Sequence, residues 1–422
     1  MEKQYSLKYG KGALKATIDS KRIIATVRMK NTEKVRDVEK AVRDSINHPI
    51  GTMPFKENFR SGKTVAIIVN DSTRDAKTEL FLPILLDELN ACGINDKDIT
   101  VLFALGAHRE MDYKEMAGIV GDQVAGRVRL YCGDCRDQAQ FTYFGKTSFG
   151  TEVWFHQIVA EADYIIATGS VLFHYFAGYG GGRKAMHPGV ASYESIRQNH
   201  QMMFEEDAGM GLLKGNPIYD DQIEAVRMCP PTFLLNTVLN ENSEIIQVFS
   251  GDYIEAHLEA CKYVSEVYSS EIEEKADIVI ASAGGSPKDI NVYQLHKTMI
   301  NAGAAVKDGG ICIIVGECRE GIGSTIYEEI MRDCSSFQEI KNAVQSDFQI
   351  GKHKAYSIAQ LMQKAEYILV SELREELSRL LMFTPAGSLE EAIQMADEKS
   401  GKDSSILLLP QGSLTVIKEQ EG

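Results

Sequence analysis

Runs of apolar residues alternate along the chain with stretches that have helical spacing. Buried strands are predicted at TVAIIVN (64–70), ITVLFAL (99–105), RVRLY (127–131), YIIAT (164–168), IVIASA (278–283), GICIIVG (310–316), YILVSE (367–372) and ILLLP (406–410). Continuous rather than alternating apolar positions indicate parallel strands that are covered on both faces. The pattern therefore predicts an α/β protein with mainly parallel, doubly wound sheets flanked by helices.

The alternation restarts once, and this predicts two domains. A long charged helical pattern occupies 256–275, and ADIVIASAGG then begins a new strand–loop–helix pattern. We expect an N-terminal domain at 1–270 and a C-terminal domain at 271–422, both of ordinary domain size. The first 50 residues predict a short hairpin followed by a charged helix at 33–46.

The charge balance narrows the range of partners. The 422 residues include 45 Lys and Arg against 60 Asp and Glu, a net charge of −15. Nucleic acid is not expected as a partner, because neutralising phosphates needs a basic surface. An anionic small substrate remains compatible, since a few converging cations can override a distant net charge. The N-terminus lacks a signal-peptide core, and no apolar run approaches the roughly 20 residues of a membrane helix. We therefore expect a cytoplasmic protein without membrane association.

The stretch VLFHYFAGYGGGRKAMHPGVASYESIRQNH (171–200) is the richest in reactive side chains and directly follows the strand YIIAT. Its candidates are His174, Lys184, His187 and His200. Glycines such as Gly182 let the backbone pass close to a bulky group. The spacing fits neither a Walker A loop, nor a GxGxxG that opens a helix, nor HExxH. Each histidine alone is more often structural, but a cluster after a parallel strand lies where α/β proteins bind ligands.

Two other strand ends carry candidates. DSTR (71–74) follows TVAIIVN. There Asp71 could orient a histidine or a ribose hydroxyl, and Arg74 could bind a carboxylate or phosphate; capping of the next helix is the alternative. GAHRE (106–110) ends ITVLFAL and places His108 at a strand edge, where structural and functional roles are equally expected.

In the second domain, NVYQLHKT (291–298) carries the remaining candidates. If this segment is helical, Tyr293, Gln294 and Lys297 share one face. An amphipathic helix with a solvated Lys297 is the alternative. The adjacent His296 points elsewhere and is expected at the surface.

Two acid/base histidines on separate loops suit a reaction at both faces of one carbon. Removing the α-proton of a hydroxy acid carboxylate creates a carbanion beside an anion. Taking the hydroxyl proton and moving the α-hydrogen as hydride avoids this, but needs an electrophile that a cofactor must supply. Racemisation or epimerisation of a 2-hydroxy acid is one reaction that these residues could support with such a cofactor. An NAD-type oxidoreductase is disfavoured without GxGxxG, and a non-catalytic cofactor-binding protein would not need both His108 and His174.

The ordered set DSTR, GAH, H-x(9)-RK-x(15)-H and YQ-x(2)-K resembles the nickel-dependent lactate racemase family over nearly the whole chain. The resemblance implies a two-domain α/β enzyme with its active site in the interdomain cleft. It also implies a nickel-pincer nucleotide, a pyridinium mononucleotide whose two sulfur arms grip nickel, made by separate maturation enzymes upstream.

The resemblance assigns roles residue by residue. The implied roles are catalytic for His108 and His174, cofactor-binding for Lys184, Asp71, Gly182 and Tyr293, substrate-binding for Arg74, Gln294 and Lys297, and nickel-binding for His200. Lys184 would be joined covalently to the cofactor through a thioamide, and Asp71 would tune a catalytic histidine. Imidazole suits nickel, and Ni(II) is typically planar.

One departure from the family concerns the substrate. Lactate-specific members have a tryptophan near the substrate in the second domain, whereas the only tryptophan here is Trp154 in the first. The corresponding neighbourhood reads GKHKAYS (351–357), with His353 and Tyr356. The expected substrate is therefore lactate or a related 2-hydroxy acid, including larger or more polar acids and sugar acids.

Overall fold

The computed structural model describes residues 1–349 and 351–419. The strands are β1 (Glu2–Tyr9), β2 (Gly12–Asp19), β3 (Ile23–Thr26), β4 (Val65–Asn70), β5 (Ile99–Ala104), β6 (Arg129–Tyr131), β7 (Phe141–Lys146), β8 (Glu152–His156), β9 (Tyr164–Ser170), β10 (Phe173–His174), β11 (Ala177–Tyr179), β12 (Gly209–Met210), β13 (Phe233–Leu239), β14 (Ile245–Gly251), β15 (Ser269–Ile272), β16 (Ala276–Ser282), β17 (Val306–Val315), β18 (Glu366–Val370), β19 (Thr384–Ala386), β20 (Ile406–Leu409) and β21 (Val416–Glu419).

The helices alternate with these strands. The α-helices are α1 (Val38–Asn47), α2 (Phe55–Asn58), α3 (Thr78–Ala91), α4 (Tyr113–Val120), α5 (Asp122–Ala125), α6 (Gln157–Glu161), α7 (Tyr193–Gln201), α8 (Pro217–Arg227), α9 (Glu255–Tyr268), α10 (Val292–Ala305), α11 (Thr325–Asp333), α12 (Phe337–Ser346), α13 (Lys352–Leu361), α14 (Glu375–Leu380) and α15 (Leu389–Ser400). Short 3-10 helices occur at Ser20–Arg22, Asp96–Asp98, Gln138–Gln140, Gly182–Ala185 and Met202–Phe204. Across the described ranges, no helix is both long enough and apolar enough to cross a membrane.

The chain forms two compact units, which we name by their continuity. The contiguous unit is Thr32–Glu266, and the split unit combines Met1–Asn31 with Val267–Gly422. Each is an α/β structure with a six-stranded sheet. This confirms the fold class predicted from the alternation of apolar runs and helical stretches.

The sheet of the contiguous unit has the order β14-β13-β9-β4-β5-β6. Its neighbours are parallel except β13 and β14, which form an antiparallel pair. Val65–Val69 of β4 are all buried, as expected for a central strand that helices cover on both faces. Because β9, β4 and β5 are parallel neighbours, the segments that follow them leave from one edge of the sheet.

The sheet of the split unit has the order β19-β18-β17-β16-β20-β3, and all its neighbours are parallel. Its core includes Ile280, Ile313 and Leu408 from three central strands. Apolar side chains of the β1–β2 hairpin, including Leu7 and Ile18, pack into the same core. The N-terminal segment therefore belongs structurally with the C-terminal residues.

The expected domain of 1–270 differs from the structure in this segment. Its first 31 residues lie in the split unit, and the other division falls between Glu266 and Val267. The cause is long-range pairing: β3 adds to β20 at the sheet edge. In addition, the Gly10 amide donates to Asp289 Oδ2 at 2.7 Å. A local apolar pattern predicts a hairpin but does not identify the sheet it joins.

Candidate active site

The turns after β4 and β5 bring two predicted residues into contact. Asp71 follows β4, and His108 lies beyond β5 after a turn in which Gly106 has φ +55°. His108 Nδ1 lies 2.5 Å from Asp71 Oδ2. Asp71 is 3% exposed, whereas the His108 side chain is 40% exposed. The pair therefore joins a buried carboxylate to an accessible imidazole.

The surroundings of Asp71 keep its carboxyl group ionised. Burial alone would raise its pKa, but the hydrogen bond to His108, the charges of His108 and Arg74, and Thr73 together hold the pKa below its ordinary value. Thr73 donates through its hydroxyl at 2.8 Å. With Nδ1 turned to the carboxylate, Nε2 is the outward nitrogen for proton exchange. Asp71 does not cap the next helix, because α3 begins only at Thr78. Arg74 is exposed on the same turn.

The segment after β9 gathers three predicted side chains around one aromatic ring, that of Phe176. The ring centroid lies 4.6 Å from that of His174 and 5.0 Å from that of His200. Lys184 Nζ lies 6.0 Å from the same centroid. Phe176 and His200 are buried, at 3% and 8% exposed, whereas His174 and Lys184 are half-buried, so the group lies at the boundary between core and surface. His174 Nδ1 accepts a hydrogen bond from the Ala177 amide at 3.3 Å.

Sequence reasoning missed Phe176, because an isolated aromatic residue between candidates is ordinarily assigned to the core. The only available signal was its place in HYF, directly after His174. The structure assigns it a definite position, as the apolar surface that His174, Lys184 and His200 share.

Arg183 fixes the loop that presents Lys184. Its guanidinium is fully buried, and it donates to the carbonyls of Tyr179 at 3.1 Å and Ala177 at 2.7 Å. Its Nε donates to Gln222 Oε1 at 3.1 Å. Burial lowers the pKa of Arg183 to about 10, so the group is still a cation at neutral pH. Arg183 is thus a structural anchor, while the neighbouring Lys184 is only half-buried.

Two buried histidines pack near this loop. His187 is fully buried, and burial lowers its pKa to about 4. His257 of α9 is 1% exposed, and its Nε2 donates to the Gly180 carbonyl at 2.8 Å. Burial lowers the pKa of His257 to about 3. Both rings are therefore neutral at physiological pH and serve to pack the loop. The sequence could not link His257 to this loop, because His257 is remote in the chain.

Gly182 occupies a position where any side chain would collide with the ring of His257. Its φ is +55°, and a Cβ there would lie 2.4 Å from Cγ of His257. Replacement by alanine should therefore lower the free energy of unfolding of the unliganded protein by about 2–4 kcal/mol, from overpacking and left-handed strain together. Chemical denaturation measures the change.

Gly62→Ala is the matched control for this substitution. Gly62 also has a positive φ, +71°, but a Cβ there meets no described atom within 4 Å. Gly62→Ala should lower the free energy of unfolding only by the cost of the left-handed backbone conformation, about 1–2 kcal/mol. Equal losses in the two variants would contradict a steric role for His257.

The split unit holds the other predicted residues on α10. This helix begins after Asn291, whose Oδ1 accepts a hydrogen bond from the backbone amide of Gln294 at 3.0 Å. The predicted helical placement of Tyr293, Gln294 and Lys297 is therefore correct, and Lys297 is exposed. Behind them, buried Lys354 donates to the Tyr293 carbonyl at 2.9 Å, and its Nζ lies 3.8 Å from the centroid of the tyrosine ring.

The prediction that His296 lies at the surface is wrong. It is fully buried, and its Nε2 lies 2.8 Å from Ser357 Oγ on α13. The helix is packed on more sides than its amphipathic pattern indicated, because α13 covers the face expected to meet solvent. His353 and Tyr356, the polar residues near the expected tryptophan position, are also buried. Burial lowers the pKa of His353 to about 3.

The fold and these side chains define a class of protein. It is an α/β enzyme that carries an imidazole supported by a carboxylate, together with a second histidine, a lysine and a third histidine around one phenylalanine. Such a set can exchange protons at two separate histidines and offers an amine nucleophile and an imidazole ligand.

Comparisons with known proteins identify the family. Residues 9–211 match the lactate racemase N-terminal domain, and residues 272–417 match the lactate racemase C-terminal domain. A lactate racemase from Thermoanaerobacterium thermosaccharolyticum is 31% identical over 421 residues, which cover 98% of each chain. One from Lactiplantibacillus plantarum is 30% identical over 387 residues, covering 90% of this chain and 91% of that protein.

Solved structures agree. The lactate racemase apoprotein from T. thermosaccharolyticum superposes with a TM-score of 0.92 at 31% identity, covering 99% of this chain and all of that one. A Thermotoga maritima protein with a TM-score of 0.70 and 16% identity shares the fold. The chain belongs to the lactate racemase family, and it is a racemase. This class replaces the oxidoreductase and the non-catalytic binding protein as interpretations of the sequence.

Proposed function

We propose that this racemase inverts the α-carbon of a 2-hydroxy acid, lactate or a related acid, with a nickel-pincer nucleotide attached at Lys184. The observation that carries the proposal is the grouping of His174, Lys184 and His200 around Phe176. It occurs in the segment after β9, next to the strand that leads to the Asp71–His108 pair. The names of the two relatives support the substrate class.

The donor set fits such a cofactor chemically. Lys184 offers a half-buried amine, the nucleophile that a thioamide link requires. His200 offers an imidazole, a ligand suited to nickel. Phe176 provides an apolar surface near both groups, which would suit the flat pyridinium ring of such a cofactor. When bound, the cofactor supplies the electrophile that accepts the α-hydrogen as hydride and returns it.

The two histidines are proposed to transfer the hydroxyl proton of the substrate. Asp71 orients His108 through its contact with Nδ1, so that His108 takes the hydroxyl proton from one enantiomer. Loss of this proton and of the α-hydrogen leaves a planar 2-oxo acid. When the hydrogen returns to the opposite face, His174 gives a proton to the carbonyl oxygen and completes the other enantiomer. The two histidines exchange roles in the reverse direction.

Arg74, on the turn that carries Asp71, is proposed to hold the carboxylate. It is an exposed cation. Arginine suits this task because its planar guanidinium binds a carboxylate with two parallel hydrogen bonds. Holding the carboxylate fixes which face of the α-carbon meets each histidine.

The test follows the α-hydrogen. Holo-protein is incubated in ordinary water with single enantiomers of 2-hydroxy acids that carry deuterium at C2. The products are separated by chiral chromatography, and mass spectrometry measures their deuterium content. We expect the inverted product to retain the deuterium, because a hydride does not exchange with water.

Protein without cofactor is the control and should give no inversion. Inversion with loss of the label to solvent would show direct removal of an α-proton and contradict the hydride route. Inversion of none of the acids tested would contradict the substrate class.

A further inference from the structure

Asn199 precedes His200 on α7 and is completely buried. Its Nδ2 donates to Asp221 Oδ2 at 2.7 Å and to the Ile218 carbonyl at 3.1 Å. Both partners only accept hydrogen bonds. The orientation of the amide is therefore fixed, with Oδ1 on the opposite side.

That oxygen determines the state of the neighbouring imidazole. Asn199 Oδ1 lies 3.2 Å from His200 Nδ1. Because an amide oxygen can only accept, Nδ1 must carry the proton and donate it. Neutral His200 is then the Nδ1–H tautomer, in which Nε2 has the lone pair.

The network extends through Gln222 to the segment that bears Lys184. Gln222 Oε1 accepts from Arg183 Nε at 3.1 Å, so the Gln222 amide nitrogen faces Asn199 Oδ1, 3.0 Å away. Asp221 is held in turn by the hydroxyl of Thr151 at 2.9 Å. Each buried polar group here is constrained by its partner, and a network satisfied in this way specifies a single arrangement.

We propose that Asn199 is a positioning residue that selects the Nδ1–H tautomer of His200, in which the Nε2 lone pair would be the one offered to a metal. The inference deepens the proposed function, since it rests on His200 as the nickel ligand. Partners of this kind orient metal-binding histidines, and their loss commonly weakens metal binding roughly 10–100-fold. Through Gln222 and Arg183, one hydrogen-bonded network also supports both proposed attachment points of the cofactor.

The first test measures the tautomer in protein without cofactor. Histidine ring ¹⁵N signals are recorded at pH 8.5, and those of His200 are assigned by their loss in His200→Gln. We expect the proton on Nδ1 in the wild type. In Asn199→Ala it should move largely to Nε2, the form that an unconstrained neutral imidazole prefers.

Gln198→Ala is the matched control. Gln198 is one residue earlier on α7 and contacts the Glu152 amide and Glu194. It should perturb the helix without changing the tautomer. A proton on Nε2 in the wild type, or on Nδ1 in Asn199→Ala, would overturn the inference. The wild-type measurement alone is decisive if Asn199→Ala fails to fold.

The second test measures nickel retention in holo-protein under a chelator. Asn199→Ala should lose nickel roughly 10–100-fold faster than the wild type, and Gln198→Ala should match the wild type. An unchanged rate in Asn199→Ala contradicts the positioning role. Wild-type nickel content in His200→Ala would instead show that His200 is not the nickel ligand. The tautomer measurement, which needs no cofactor, distinguishes that result from a failure of the role proposed for Asn199.

Discussion

Replacing His108 and His174 together by alanine is expected to slow racemisation by the holo-protein about 10⁴-fold or more, because general acid–base catalysis by one group contributes about 10²–10⁴-fold. Each direction of the reaction needs one histidine to take a proton and the other to give one. Either single substitution should therefore remove most of the activity, and the double variant should lose less than the product of the two. Chiral chromatography of the product measures the rate.

His48→Ala is the control, because His48 is exposed in the same unit and lies outside the site. Intact mass and nickel content must match the wild type in all variants, so that a lower rate reports proton transfer and not cofactor loss. Unchanged racemisation in the double variant would show that other groups move the protons.

Lys184→Ala is expected to abolish covalent attachment of the cofactor, and racemase activity should fall below detection. The variant lacks the only amine that the proposal gives to the link. Because the Lys184 side chain is half-buried, the unliganded variant should fold normally. Intact-mass spectrometry after co-production with the maturation enzymes shows whether the adduct is present.

Two controls sharpen this result. Lys184→Arg keeps the positive charge above Phe176 but supplies a poor nucleophile, so it should also lack the adduct. Lys214→Ala, at an exposed lysine further along the same unit, should carry the adduct as the wild type does. The wild-type adduct mass in Lys184→Ala would place the attachment elsewhere.

The sequence predicted the candidate site best where its residues lie just beyond predicted strands. Asp71 and His108 were each predicted just beyond a buried strand, and parallel strands end at a common sheet edge, but only the family resemblance linked Asp71 to a catalytic histidine. Their strands are adjacent, and the two side chains touch. The relation depends on the ends of strands, which apolar runs mark clearly.

Long-range packing was the part that the sequence could not supply. In the sequence, Arg183 is a loop cation beside Lys184. In the structure it is buried, because Gln222 and loop carbonyls accept hydrogen bonds from its guanidinium. His296 reads as the polar side of a helix, yet α13 covers it. Asn199 shows no motif, and its role emerges only from contacts with Asp221 and Gln222. In each case the environment is decided by a segment far away in the chain.

The split unit has a consequence for synthesis on the ribosome. The β1–β2 hairpin and β3 are made before the contiguous unit, but β3 pairs with β20, which is made after it. All residues of the contiguous unit are made between these two strands, so that unit has its complete sequence while the split unit still waits for its partners. Leu7 and Ile18 therefore stay without core neighbours such as Ile280 and Leu408 until β16 and β20 have been made. The segment from β1 to β3 completes its native contacts only after the contiguous unit has been synthesised.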